Sequence, residues 1–205
     1  MCQEVFQIAM SMDLKSVEMQ LALQCAPLIT GARISNMLMI DSTDESAMRV
    51  ILRASGISHF RLAAMNEKTA FLLYRKAKLE AYIFKPEVQQ LLRKLGYEDF
   101  SLENVLHSFR KKYQAHMNQG KQFPHEMGLL LGYPVEDVVG FMDNNGKNYL
   151  YSGYWKVYAD VTEKKHIFIR YDEARETLIR LLANDIGIRL IFEIYRDESI
   201  KEIAV

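Results

Sequence analysis

The sequence predicts an α+β (or α/β) protein: one small mixed or antiparallel sheet flanked by helices, in a single domain covering residues 1–205. Three observations carry this. Apolar residues recur at helical spacing between Ser, Pro and Gly punctuation. Two strand-like runs flank a short polar turn at 66–68. The composition, 49% hydrophobic and 25% charged, is that of a globular chain, and 205 residues suffice for one sizeable core.

In chain order, Asp13 stands where an N-cap would start a helix running to about Cys25. Leu14, Val17, Leu21 and Cys25 share one face, Pro27 stops the helix and Gly31 marks a loop. Residues 36–40, Asn-Met-Leu-Met-Ile, have the length of a buried strand. Ser42 with Glu45 reads as a capping box before a helix that buries Ala47, Val50, Ile51 and Ala54, and Gly56 supplies a left-handed C′ residue. Residues 57–65 and 69–75 then form a hairpin. Segment 76–84 fits a strand extension or a helical turn equally. Pro86 opens a helix with Val88, Leu91, Leu92 and Leu95 on one face, closed by Gly96. Ser101 caps a longer one with Leu102, Val105, Leu106, Phe109 and Tyr113 inward.

Punctuation concentrates in residues 123–160, which hold two of the four prolines, five of the ten glycines and the one tryptophan. Pro124 at a first helical position places His125 and Glu126 in the opening turn. Gly128 inside so short a helix costs about 1 kcal/mol against alanine, which points to close packing or a ligand there. Gly132 ends that helix and Pro134 begins another. Glu136 and Asp137 lie in its first turn, and Val135, Val138, Val139 and Met142 form its apolar face. Asn144-Asn145-Gly146 is turn chemistry. Residues 147–158 alternate as a fourth strand, with Tyr149, Tyr151, Trp155 and Val157 on one face and Leu150, Tyr154 and Tyr158 on the other. Gly153 marks a bulge or a close approach. Thr162 then caps a helix to Arg170, and 172–185 forms another with Ala174, Leu178, Leu181 and Leu182 inward. Residues 188–195 alternate as a late strand, with a continued helix as the alternative.

Charge and motifs narrow the function. Lys plus Arg equals Asp plus Glu, 26 each, so the chain lacks the bulk field behind non-specific nucleic-acid binding, and a nucleic-acid partner is not expected. The Arg110, Lys111, Lys112 run reads as a solvated helix face. Cys2 and Cys25 form neither a CxxC nor a His/Cys ligand spacing, so the expectation is a reduced, cytoplasmic location with no metal site. The N-terminal residues lack the pattern of a signal peptide, and no apolar run reaches the roughly 18 residues of a membrane span. HExxH fails at Leu129, and GxGxxG, Walker and GxSxG patterns are absent.

Two functional readings remain. One is a small-molecule or anion site, or an enzyme, at the helix start around His125 and Glu126. There His125 is acid/base or ligand, Glu126 its partner, and Tyr154, Trp155, Lys156, Glu136 and Asp137 are further ligand-binding candidates. Neighbouring helical residues point about 100° apart, which weighs against His125 and Glu126 gripping one atom. Cys25 with His125 would make a nucleophilic pair, against the reading of Cys25 as a small buried hydrophobe. The other reading, slightly favoured, is a non-catalytic interaction or regulatory module with a rigid helix–strand hub. The residues name no cofactor and leave open whether the partner is a protein or a small ligand.

Four blocks carry a family resemblance: FPHEMGLLLGYPVEDVVGFM at 123–142, GYWKVYAD at 153–160, QCAPLITGARISNML at 24–38 and LRKLGY at 92–97. Together they resemble the bacterial domain of unknown function 3793 family over about residues 18–160. Met37-Leu38-Met39 departs from its pattern, and 161–205 stands as a helical or strand extension. The resemblance implies a cytoplasmic protein of anaerobic Firmicutes-like bacteria, and it brings no activity, cofactor or catalytic residue with it.

Overall fold

The computed structural model describes residues 1–53 and 55–196. The chain begins with α1 (Gln3–Met10), α2 (Val17–Ile29), β1 (Ser35–Asp41), a 3-10 turn (Ser42–Asp44), α3 (Glu45–Leu52), β2 (Ser58–Met65) and β3 (Lys68–Tyr74). It continues with α4 (Lys76–Ile83), α5 (Pro86–Lys94), α6 (Leu102–Gln119), α7 (Glu126–Leu130) and α8 (Val135–Asp143). Two-residue strands β4 (Tyr151–Ser152) and β5 (Lys156–Val157) precede α9 (Val161–Ala183) and α10 (Ile188–Arg196). Among the described residues, those of 1–75 with 170–196 form one compact unit and 76–169 another. The class is α+β, as the sequence indicates.

In the first unit the sheet is antiparallel, in the order β1-β3-β2. The hairpin turns on two residues, Asn66 (φ 50°) and Glu67 (φ 62°), the left-handed pair that matches strand twist. Leu38, Ile40, Phe71 and Leu73 carry the sheet into an aliphatic core with α2, α3, α10 and the second half of α9. Helix α2 also seals the β1 edge. The Gln24 side-chain amide accepts from Met39 N and donates to Met39 O, both at 2.9 Å, as a neighbouring strand would. Asn36 Nδ2 returns to Gln24 O.

Local expectations in this unit shift for identifiable reasons. Ser16, not Asp13, caps α2 by accepting from Met19 N at 3.3 Å, while Asp13 shapes the preceding turn. Pro27 lies inside α2 rather than ending it. A proline removes the donor that would pair with the carbonyl four residues back, and Arg175 Nε donates to that Leu23 oxygen at 3.0 Å instead.

At α3 there is no capping box. Glu45 Oε1 accepts from Thr69 Oγ1 at 2.6 Å and Arg61 Nε at 3.2 Å, a carboxylate recruited by the sheet rather than by its own helix start. Burial raises its pKa, but the Thr69 and Arg61 bonds with the Arg61 and Arg49 charges outweigh it, so the net shift is downward. The 3-10 turn rotates the buried face of α3 to Met48, Ile51 and Leu52, leaving Ala47 and Val50 exposed; Ala54 lies outside the described residues. Gly56 is left-handed (φ 71°) but stands three residues past the Arg53 C-cap.

Toward the C-terminus one helix stands where two were expected. Residues 161–183 make one continuous helix, α9, with Thr162 inside its first turn. Ala174 and Leu178 are buried, and Leu181 and Leu182 pack half-buried against the core. Of the strand and helix readings of 188–195 the helix is found: α10 buries Ile188, Ile191 and Phe192 at helical spacing. No described helix is long and apolar enough to cross a membrane.

Candidate functional site

The candidate residues apart from Cys25 lie in the second unit. The undecided segment 76–84 is helical as α4, and α5 and α6 bury the apolar faces read from their sequences. Helix α8 starts behind Pro134 as expected, whereas Pro124 is not the first helical residue of α7: it precedes the His125 N-cap, and the helix begins at Glu126. Gly128 is explained by packing, since a Cβ there would stand 2.7 Å from Val138 of α8.

The expected strand over 147–158 does not form, so the sheet has three strands rather than four. The chain folds back between β4 and β5, with Gly153 N donating to Trp155 O at 3.1 Å. Gly153 permits this because a Cβ would meet the Phe168 ring at 2.3 Å. Tyr149, Leu150 and Tyr151 are consequently exposed, Leu150 by 66%.

Asp137 holds this hairpin. Its carboxylate is 2% exposed and accepts three hydrogen bonds: from Trp155 Nε1 at 2.7 Å, Tyr158 N at 2.7 Å and Ala159 N at 3.3 Å. A carboxylate so supplied with donors is the stable way to bury a charge, and its place in the first turn of α8 suits the helix dipole. The bond fixes Trp155, which stacks on Tyr133 (centroids 4.8 Å apart) and meets Phe168 edge-on at 4.5 Å. Tyr133 is fixed in turn, its carbonyl accepting from Tyr82 OH at 2.8 Å.

Glu126 is also 2% exposed, but it does not partner His125. Its Oε1 accepts from Tyr97 OH at 2.8 Å and pairs with Lys112 Nζ at 3.2 Å. Lys112 further donates to Leu95 O at 2.7 Å and lies over the Tyr97 ring. Burial, then the Glu126 charge and hydrogen bond, push the Tyr97 hydroxyl well above its ordinary pKa and keep it a donor. Glu136 is tied to Lys164 at 2.9 Å, and Glu163 approaches the same ammonium at 3.3 Å. Burial alone would lower Lys164, yet these two carboxylates hold its pKa above the usual lysine value.

His125 occupies the N-cap position of α7, half-buried between the rings of Phe123 (5.9 Å) and Phe141 (5.8 Å). Its Nδ1 is buried without a hydrogen-bond partner, an unmet donor or acceptor in either tautomer. The carboxylate partner expected for His125 is therefore not present at that atom.

His125, Asp137, Tyr154, Trp155 and Lys156 line one cavity of about 290 Å³. Most of its remaining wall is apolar, notably Tyr133 and Phe141. Lys156 Nζ donates to Gly146 O and lies over the Tyr149 and Phe141 rings. Glu126 and Glu136 do not line it. Tyr133 and Phe141 went unassigned from sequence, although both fall inside the 123–142 block.

Cys25 is no nucleophile. Its side chain is fully buried in the aliphatic core, its thiol faces Met37 O at 3.7 Å, and burial pushes its pKa far up. Among the described residues no group of three His, Cys, Asp or Glu side chains is placed to hold a metal.

These features define an α+β protein with an aromatic cavity framed by short helices and a clamped hairpin. The chain belongs to the family described as protein of unknown function (DUF3793), whose family model matches residues 21–192. That match runs beyond residue 160, through α9 and into α10. No curated protein and no solved structure matches the chain.

Proposed function

We propose that the protein is a non-catalytic binding module of the bacterial cytoplasm, regulatory in role, whose aromatic cavity receives a planar apolar group. One observation carries this: a cavity of about 290 Å³ with aromatic walls, whose lining carboxylate, Asp137, is already fully engaged in structural bonds. Apolar cavities with a few fixed polar groups are the usual form of ligand sites, and a volume near 300 Å³ lies at the lower end of their range. The enzyme reading requires an acid/base couple at the helix start, and Glu126 is held by Tyr97 and Lys112 instead. The cytoplasmic and bacterial parts rest on the family resemblance and on two unpaired cysteines, one of them exposed.

Trp155 is the one tryptophan of the chain and lines the cavity, so its emission reports occupancy. Quinoline, a neutral planar probe, is expected to change Trp155 emission and raise the melting temperature. Met127→Trp, which narrows the cavity, is expected to abolish quinoline binding in calorimetry. Unchanged emission and melting temperature with quinoline and related one- and two-ring aromatics would overturn the reading.

A further inference from the structure

A second concavity adjoins the aromatic cavity, and the two share Phe123 and His125 as common lining. It is an open groove of about 840 Å³, and its chemistry is opposite. Lys94, Lys111, Lys112 and Lys121 line it against one carboxylate, Glu126, a formal surplus of three positive charges. Glu126 is already paired with Lys112. Among the described residues, Lys94, Lys111 and Lys121 make no ion pair. Helix α5 brings Lys94 in its last turn, α6 brings Lys111 and Lys112, and the segment after α6 brings Lys121. Two lysines of the run read as a solvated face therefore line one groove with two that are distant in sequence.

This surplus is local, because the chain as a whole is neutral. Like charges gathered in a concave wall raise the local concentration of anions. A ligand occupying both compartments needs a flat apolar head for the cavity and a multiply anionic tail for the groove.

We propose, building on the cavity reading above, that the ligand is a free nucleotide: base in the aromatic cavity, phosphate chain along the lysine groove. A single-stranded nucleic acid offers the same two chemistries. It is disfavoured because the neutral chain lacks the extended basic track that holds a phosphate backbone.

The experiment uses the full chain with ATP, adenosine, inorganic tripolyphosphate, quinoline and a twelve-residue deoxyadenylate oligomer. Calorimetry measures affinity and Trp155 emission measures cavity occupancy. ATP is expected to alter Trp155 emission and bind more tightly than adenosine, with affinity falling as salt rises. Tripolyphosphate is expected to compete with ATP without altering Trp155 emission. Lys111→Glu with Lys121→Glu, two exposed side chains that make no hydrogen bond or ion pair among the described residues, is expected to weaken ATP at least about tenfold while leaving quinoline unchanged.

If quinoline binds but ATP binds no better than adenosine, or the lysine variant leaves ATP unaffected, the nucleotide assignment fails and the cavity reading stands. If neither quinoline nor ATP binds, both fail. Tighter binding of the oligomer than of ATP overturns the assignment in favour of nucleic acid.

Discussion

Each of the two compact units rests on its own internal chemistry. Residues 1–75 with 170 onward rest on an aliphatic core, and polar side chains such as Gln24 and Asn36 seal an edge of it. Residues 76–169 instead hold irregular chain with buried carboxylates and stacked rings. Glu126 fastens α7 to Tyr97 and Lys112, and Asp137 fastens the β4–β5 hairpin to α8. The contrast shows what a buried carboxylate near a candidate site signifies. Without donors it would be a reactive or perturbed group; supplied with two or three it is a fastener. The partners decide, and here they are Tyr97 and Trp155, 29 and 18 residues away along the chain.

Removing a fastener is the strongest way to break this contrast. Asp137→Ala leaves Trp155 Nε1 and the Tyr158 amide without their acceptor, and is expected to destabilise the 76–169 unit by about 2–4 kcal/mol. Urea unfolding followed by Trp155 emission measures it, and a loss below about 1 kcal/mol would show that packing alone holds the hairpin. Gln24→Ala tests the other unit. It deletes two hydrogen bonds to Met39 and leaves that backbone to water, a loss of about 1–2 kcal/mol in circular-dichroism unfolding, with native Trp155 emission unchanged.

The smallest effect, absent at neutral pH, is an alkaline slope. Burial, reinforced by Glu126 beside Tyr97 and by Glu136 and Glu87 around Tyr82, raises both phenols above the ordinary value. The unfolded chain releases these protons near pH 10 while the folded chain keeps them. Their contribution is therefore whole below about pH 10 and is lost as pH rises toward the folded-state values. Tyr97→Phe should flatten the slope of stability against pH above 10, measured by urea unfolding at stepped pH, and an unaltered slope would exclude Tyr97 as a source.

The same contrast governs how much could be read from sequence. Where aliphatic side chains fill space, local pattern is a sound guide: α5 and α6 lie where periodicity puts them, β1 where its apolar run does, and the hairpin turns within the polar 66–68 segment. Residues 147–158 misled because their alternation is satisfied as well by a strand as by a short hairpin. What decides between the two is the Asp137 carboxylate and the Phe168 ring, neither of them local. Glu45 misled for the same reason, its carboxylate having gone to Thr69 rather than to its own helix start. Residues 188–195 misled differently: Ile188, Ile191 and Phe192 serve a helix, while intervening apolar residues imitate an alternating strand. In the candidate site, His125, Asp137, Tyr154, Trp155 and Lys156 could be grouped from one motif block and its neighbour. Tyr97, Lys112 and Lys164, which determine what Glu126 and Glu136 do, could not.

The proline inside α2 bears on how the polypeptide is made. The carbonyl it orphans, Leu23 O, receives its donor from Arg175, 152 residues later. Glu4 likewise waits for Arg180. During synthesis, residues 76–169 emerge as one uninterrupted stretch, whereas the sheet-bearing unit must await residue 170 and beyond for its missing helices. Domains fold as units as they leave the ribosome. The sheet would thus spend the intervening synthesis with α2 and its core incompletely covered, and a stop codon anywhere before α9 would leave it in that state.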